Sequence, residues 1–165
     1  MKIFSRILSL LVIASLGLFY AGCGGSTPDP DPVEKVQLKK LSKTWTIDAA
    51  TGATLDAEDK TSMFPGFTIT FGGTFNTTTH AGPYNFTVGG TMPTPSPWPT
   101  SGTFKFTPTT DADGNGGVIS TQDNIAVTYK FDGTKLKLSL TCGDNCNYGN
   151  VRAKNVKGAW VFNLH

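Results

Sequence analysis

Four small groups of residues in this chain carry side chains able to do chemistry. The first is Cys23, which follows Ala21-Gly22 and an apolar run from Ile7 to Phe19. Lys2 and Arg6 precede that run, and no acidic residue occurs before Asp29. A positive start, an apolar segment of about 7–15 residues and a small-residue cut site make a secretory signal. The run of 13 residues is too short to span a membrane, which takes about 20. Ala21-Gly22-Cys23 then reads as the processing site of a bacterial lipoprotein, with Cys23 as the lipidated first residue of the mature chain. Tyr20 departs from the aliphatic residue usual at that place. The rival reading is an ordinary secreted protein with an incidental cysteine.

Cys142 and Cys146 form the second group. With Cys23 taken by the lipid they are an even pair, and an oxidising compartment favours a disulfide between them. The intervening Gly143-Asp144-Asn145 is turn chemistry that can bring the two Cα atoms into bonding range. A redox or metal role fits less well, because redox spacing is Cys-x-x-Cys and no histidine lies nearby. The third group is Asp111-Ala-Asp113-Gly-Asn115-Gly116. It matches the first half of a calcium loop, with oxygen ligands at the first, third and fifth positions and Gly at the sixth. Gln122 stands at the twelfth position, where a bidentate Glu is needed. Two readings stay open: a weak structural Ca2+ site, and a polar hairpin loop from Phe106 to Ile119. No other cofactor is expected.

The fourth group is the pair of histidines, His80 and His165. His80 lies in Thr-Thr-Thr-His-Ala-Gly-Pro, which offers no nucleophile elbow. The alternating apolar stripes contain no paired carboxylates for acid–base work. No catalytic residue is assigned, and an enzyme is not expected.

These groups must be positioned by the elements around them. Residues 1–22 read as a signal peptide, and residues 23–33 as the lipidated cysteine with a flexible tether, GGSTPDPDP being polar and rich in Gly and Pro. Residues 34–165 read as one domain. The whole chain carries a formal charge of +2. Removing the signal peptide takes away Lys2 and Arg6 and leaves basic and acidic residues equal in number, so no nucleic-acid footprint remains. Threonine is abundant and Glu occurs only at positions 34 and 58, a composition that favours strands.

Val33 to Ser42 has apolar residues at helical spacing and predicts one short helix, followed by a strand with Trp45. Beyond it, apolar residues alternate at Phe67-Ile69-Phe71, Phe104-Phe106, Ile125-Val127-Tyr129-Phe131, Leu136-Leu138-Leu140 and Trp160-Phe162-Leu164. Period-two alternation gives one buried and one wet face, the mark of antiparallel sheet. Asp132-Gly133 marks a hairpin, and Gly pairs at 72–73, 89–90 and 116–117 mark further turns. The expected fold is all-β, an antiparallel up-and-down barrel of about eight strands with a short N-terminal helix, the alternative being a β-sandwich.

Leu-Ser-Lys-Thr-Trp-Thr at 41–46, Met-Phe-Pro-Gly-Phe-Thr-Ile-Thr-Phe at 63–71, Trp-Pro-Thr-Ser-Gly-Thr-Phe-Lys-Phe at 98–106 and Gly-Ala-Trp-Val-Phe-Asn-Leu at 158–164 carry a resemblance. Over residues 38–165 the chain resembles the small lipocalin-like lipoproteins of Bacteroidota. Lys43 stands where that group often has Gly, and Phe104 where it often has Trp. The resemblance implies a lipocalin-like β-barrel and brings no activity or catalytic residue with it.

Two functions are compatible with this pattern. In the first, a monomer anchored in the cell envelope by lipid, in the outer membrane on its periplasmic or surface side, binds a small apolar molecule. Its lining would be Phe67, Ile69, Phe71, Phe104, Phe106, Val127, Tyr129, Leu138 and Trp160, residues that could equally fill a core. In the second, a non-enzymatic accessory module binds a protein or glycan through its loops. Trp98, among four prolines in Met92–Thr100, would then be an exposed anchor on an interaction loop, or that segment is simply a stiff connection.

Overall fold

A computed structural model describes residues 30–79, 81–107, 114–144, 146 and 156–165. The compact unit they belong to starts at Asp31. It opens with helix α1 (Val33–Leu41), built of the helix formers Glu, Lys, Gln and Leu, with Glu34 in the first turn and Lys39 and Lys40 in the last. Ten strands follow: β1 (Thr44–Thr46), β2 (Ala53–Leu55), β3 (Glu58–Asp59), β4 (Thr68–Gly72), β5 (Tyr84–Gly89), β6 (Ser101–Phe106), β7 (Gly116–Thr121), β8 (Ala126–Asp132), β9 (Lys135–Cys142) and β10 (Gly158–Leu164). A single 3-10 turn, Thr61–Met63, lies between β3 and β4.

All ten strands belong to one antiparallel sheet in the order β1-β4-β5-β6-β7-β8-β9-β10-β2-β3. From β4 to β10 each strand pairs with the next in sequence, which is the up-and-down arrangement. The fold is therefore all-β and barrel-like with one short helix, and no second sheet is present among the described residues to make a sandwich. Alternation along each strand sets the faces. In β9 the pattern buries Leu136, Leu138, Leu140 and Cys142, and in β10 it buries Trp160, Phe162 and Leu164.

β1 and β2 behave as two halves of one interrupted strand. β1 pairs with β4, Trp45 opposite Ile69, while β2 pairs with β10, Ala53 opposite Phe162. The corner between them is held by Asp48, whose carboxylate accepts the N–H groups of Ala50 at 2.9 Å and Thr51 at 3.3 Å. Gly52 fits there because a Cβ would lie 2.3 Å from the Asp48 carbonyl oxygen. At this corner the curled sheet meets its own other side. Thr46 and His165 exchange two backbone hydrogen bonds at 2.9 Å, and Asp48 N–H donates to Asn163 O at 2.9 Å, around a bridge between Ile47 and Leu164.

Both ends of the curled sheet are covered. α1 lies across one end, burying Gln37, Leu38 and Leu41. Val33, expected on the apolar stripe, is instead 39% exposed. The opposite end is covered by the segments 61–67 and 92–98, which meet through the Thr91 N–H to Pro65 O bond at 3.0 Å. Gly90, with φ +86°, passes so close to Gly66 that a Cβ would stand 2.2 Å from its carbonyl oxygen.

Phe162 is fully buried and touches the rings of Phe64, Phe67, Trp98 and Trp160 at centroid separations of 5.2 to 5.8 Å. Phe162→Ala is expected to cost about 3–5 kcal/mol, the usual range for emptying an aromatic core position, measured by urea unfolding. Cys142 and Cys146 are bonded, with Cα atoms 5.2 Å apart, and both are buried. Replacing both by Ser is expected to cost about 2 kcal/mol, because the closed loop is short; an unchanged urea midpoint would show that the bond adds nothing.

Candidate functional site

The nine residues named as a cavity lining do converge on one interior, since they lie on inward positions of β4, β6, β8, β9 and β10 and just before β4. They meet one another rather than empty space. Phe67, Ile69, Phe71, Phe104, Val127, Tyr129, Leu138 and Trp160 are each at most 2% exposed. Phe106 is half-buried at the end covered by α1. Ring contacts run through the whole interior: Phe71 on Phe104 at 5.4 Å, Phe104 on Phe106 at 5.7 Å, Phe106 on Tyr129 at 6.1 Å and Tyr129 on Phe131 at 5.8 Å. Such edge and tilted pairs each add about 0.5–1.5 kcal/mol beyond the burial of area. Around these residues the interior is a packed core.

Trp98 corrects an expectation. Its side chain is 2% exposed and packs against Phe86 at 6.0 Å and Phe162 at 5.8 Å, so it is not an aromatic anchor offered to a partner. Pro95, Ser96 and Pro97 are buried beside it. The Ser96 hydroxyl accepts the Trp98 backbone N–H at 3.1 Å, which turns the chain inward over the end of the sheet. The proline-rich segment is a plug. The indole N–H groups of Trp45 and Trp160 donate to Leu41 O and Val156 O, whereas that of Trp98 finds no acceptor among the protein atoms.

The polar chemistry gathers beneath α1. The Tyr129 hydroxyl donates to Gln37 Oε1, and Gln37 Nε2 donates to Gly116 O at 3.1 Å. The Tyr84 hydroxyl donates to Glu34 Oε1 at 2.7 Å. Burial, the bond to Glu34 and the negative charge of that carboxylate all push the Tyr84 hydroxyl well above the ordinary tyrosine range. Hydroxyls that point out of an apolar interior must find acceptors, and the helix supplies them. A buried Gln in a nine-residue helix was the one sequence signal for this arrangement, and the apolar stripe concealed it.

The third residue of the calcium pattern is the part that can be placed; Asp111 and Asp113 lie outside the described residues, as do His80 and Cys23. Asn115 offers its side-chain oxygen to the Lys40 ammonium at 3.2 Å, and Gly114 O accepts from the same ammonium at 2.9 Å. A lysine charge thus stands at the turn where that ligand set would hold a cation. The described residues contain no cluster of three metal-ligating side chains, and none of their helices is long and apolar enough to cross a membrane.

On the outer surface a half-open groove of about 460 Å³ runs beside Pro83 across β6 and the β7–β8 turn, edged by Glu34, Thr103, Lys105, Ser120, Gln122 and Asn124. Sequence reasoning passed over these residues, because outward polar positions on strands look alike until the strands are placed side by side. Gln122 is partly engaged: its N–H donates to Thr103 O at 2.9 Å and its side-chain oxygen accepts the Thr103 N–H at 3.1 Å. Against protein-family models, curated proteins and solved structures, the chain has no match.

Burial and the Glu34 carboxylate raise the pKa of the Tyr84 hydroxyl. Its neutral form is favoured in the folded state, so the stability it carries is full below pH 10 and falls as pH climbs above that value. Tyr84→Phe is expected to flatten the loss of stability between pH 10 and 11.5 relative to the parent chain, as measured by urea midpoints at both pH values. Parallel curves for the two proteins would remove Tyr84 from the account.

Proposed function

We propose that this chain is a lipid-anchored, non-enzymatic module of the cell envelope that works through its outer surface. The filled interior is the observation that carries this reading. A carrier of apolar molecules needs a hollow of a few hundred Å³, and the side chains suited to line one are packed against each other at 2% exposure or less. Burial of the aromatic rings then serves stability, and recognition falls to exposed groups. The groove edged by Glu34, Thr103, Lys105, Ser120, Gln122 and Asn124 offers both charges and several hydroxyl and amide groups, a set suited to a polar partner such as a peptide or a glycan. The anchor rests on the apolar run and Ala21-Gly22-Cys23 at the start of the chain; one acyl chain holds only marginally, and the two or three of a mature lipoprotein hold stably.

Native mass spectrometry of residues 24–165, purified gently from the periplasm, tests the choice. The expected spectrum is the bare chain, two hydrogens short for the bond between Cys142 and Cys146. A reproducible adduct of small-molecule mass, removed by solvent extraction, would overturn the surface reading in favour of a carrier and would identify its cargo.

A further inference from the structure

We propose that the end of the barrel covered by α1 is a membrane-docking face for anionic phospholipid headgroups, a proposal that rests on the lipid-anchor reading above. The lysines are unevenly placed. Lys35, Lys39, Lys40 and Lys43 lie on α1 or directly after it, and Lys130, Lys135 and Lys137 flank the β8–β9 hairpin. Contacts place the hairpin at the same end: Lys40 stands 5.9 Å from the Phe131 ring centre, Lys43 lies 3.8 Å over Trp45, and Trp45 packs on Phe131 at 5.8 Å.

Lys130 and Lys137 are directly opposed across β8 and β9, both exposed. Like charges in that position work against the sheet, so an anionic partner would relieve them. They edge a groove of about 420 Å³ together with Lys135 and Asn163, in which three lysines outnumber the single carboxylate of Asp132. Asp31 takes Lys35 at 2.7 Å and Asp48 approaches Lys135 at 3.9 Å. Among the described residues, no carboxylate lies within 4 Å of Lys39, Lys130 or Lys137.

Among the described residues, Asp31, Glu34, Asp48 and Asp132 stand among the seven lysines of this end, whereas at the opposite end carboxylates outnumber lysines. Asp56, Glu58, Asp59, Asp123 and Asp144 gather there among the described residues, with Lys60 and Lys157 paired to Glu58 and Asp144.

Two further observations select a membrane as the occupant. α1, the helix across this end, begins at Val33. A lipid on Cys23 is thus separated from Val33 by ten residue steps, about 35 Å at full stretch, which keeps this end within reach of the bilayer that holds the lipid. Val33 on α1 is an exposed large apolar side chain at this end, while the other one among the described residues, Met63, lies in the 61–67 segment at the opposite end. An apolar side chain beside lysines at a helix start suits the headgroup boundary, where basic residues add attraction to anionic lipid.

The test uses the full processed chain, purified from membranes and mixed with vesicles of phosphatidylcholine alone or with about one third phosphatidylglycerol. Lysine acetylation rates are read by peptide mass spectrometry. Lys39, Lys130 and Lys137 are expected to react about threefold or more slowly on the anionic vesicles, with the difference removed by high salt, while Lys60 and Lys157 react equally on both. Equal rates at Lys39, Lys130 and Lys137 on the two vesicle types overturn the docking face. The double variant Lys130→Glu, Lys137→Glu, at exposed positions, is expected to abolish the protection at Lys39; retained protection there also overturns it.

The mass of the N-terminal peptide reports on the anchor separately. A chain without acyl groups that still shows salt-sensitive protection on anionic vesicles removes the anchor reading and keeps the docking face. An acylated chain without protection does the reverse, and a chain that is neither acylated nor protected removes both.

Discussion

The interior of a ring of about eight strands is only as wide as the side chains that can fill it, and this chain fills it with aromatic rings. Trp45, Phe64, Phe67, Phe71, Phe86, Trp98, Phe104, Trp160 and Phe162 are each buried to within 2% of completely. Their contacts are mostly tilted or edge-on, such as Phe64 on Trp160 at 82° and on Phe162 at 87°. Each ring removes apolar area from water, worth about 1.5–3 kcal/mol for a phenylalanine, and the mutual geometry fixes which strand faces which. The rest follows from that packing. The ends must be covered, because an open end would expose the same rings, and covering them calls upon the helix and the two loop segments.

The two covers solve the problem differently. At the end beneath α1 the interior finishes in tyrosine hydroxyls, so the cover has to be polar underneath: Glu34 meets Tyr84 and Gln37 meets Tyr129. At the other end the interior finishes in hydrocarbon, and the cover is Phe64, Phe67 and Trp98 with prolines holding the chain in place. One cover is joined by directional bonds and the other by area. Only the first rests on ionisable tyrosine hydroxyls, so it is where alkaline pH is expected to act.

Much of this was legible in the chain. The alternating stripes of β4, β6, β8, β9 and β10 gave strands with the correct faces, because period-two burial leaves a direct trace. β2 and β3 left none: three residues and two residues are too short to show a period, and their place beside β10 comes from the corner at Asp48. β5 alternates too, through Tyr84 and Phe86, but the surrounding Thr, Gly and Asn drew attention to turns. Trp98 was misread for a physical reason. Proline and serine neighbours look like surface, and burial of such a segment becomes visible only when an apolar opening of matching size exists to receive it. The groove beside Pro83 could not have been foreseen, since it is made by residues from four separate segments.

β10 follows all the other strands in sequence. It pairs with β9 along its whole length, with β2 on its other edge, and with the end of β1 through Leu164 and His165. The Asn163 amide donates to Thr51 O across a separation of 112 residues. Contacts that distant carry a large loop-closure cost before they return anything, and folds rich in them form slowly. A chain emerging amino end first can pair β1 with β4 and β2 with β3, but must hold the other edge of β2 and the end of β1 open until β10 is made. During that interval the edge of β2 that β10 will cover stands open to whatever attends a nascent chain. Closure of the sheet across Ile47 and Leu164 therefore waits for the seven residues of β10.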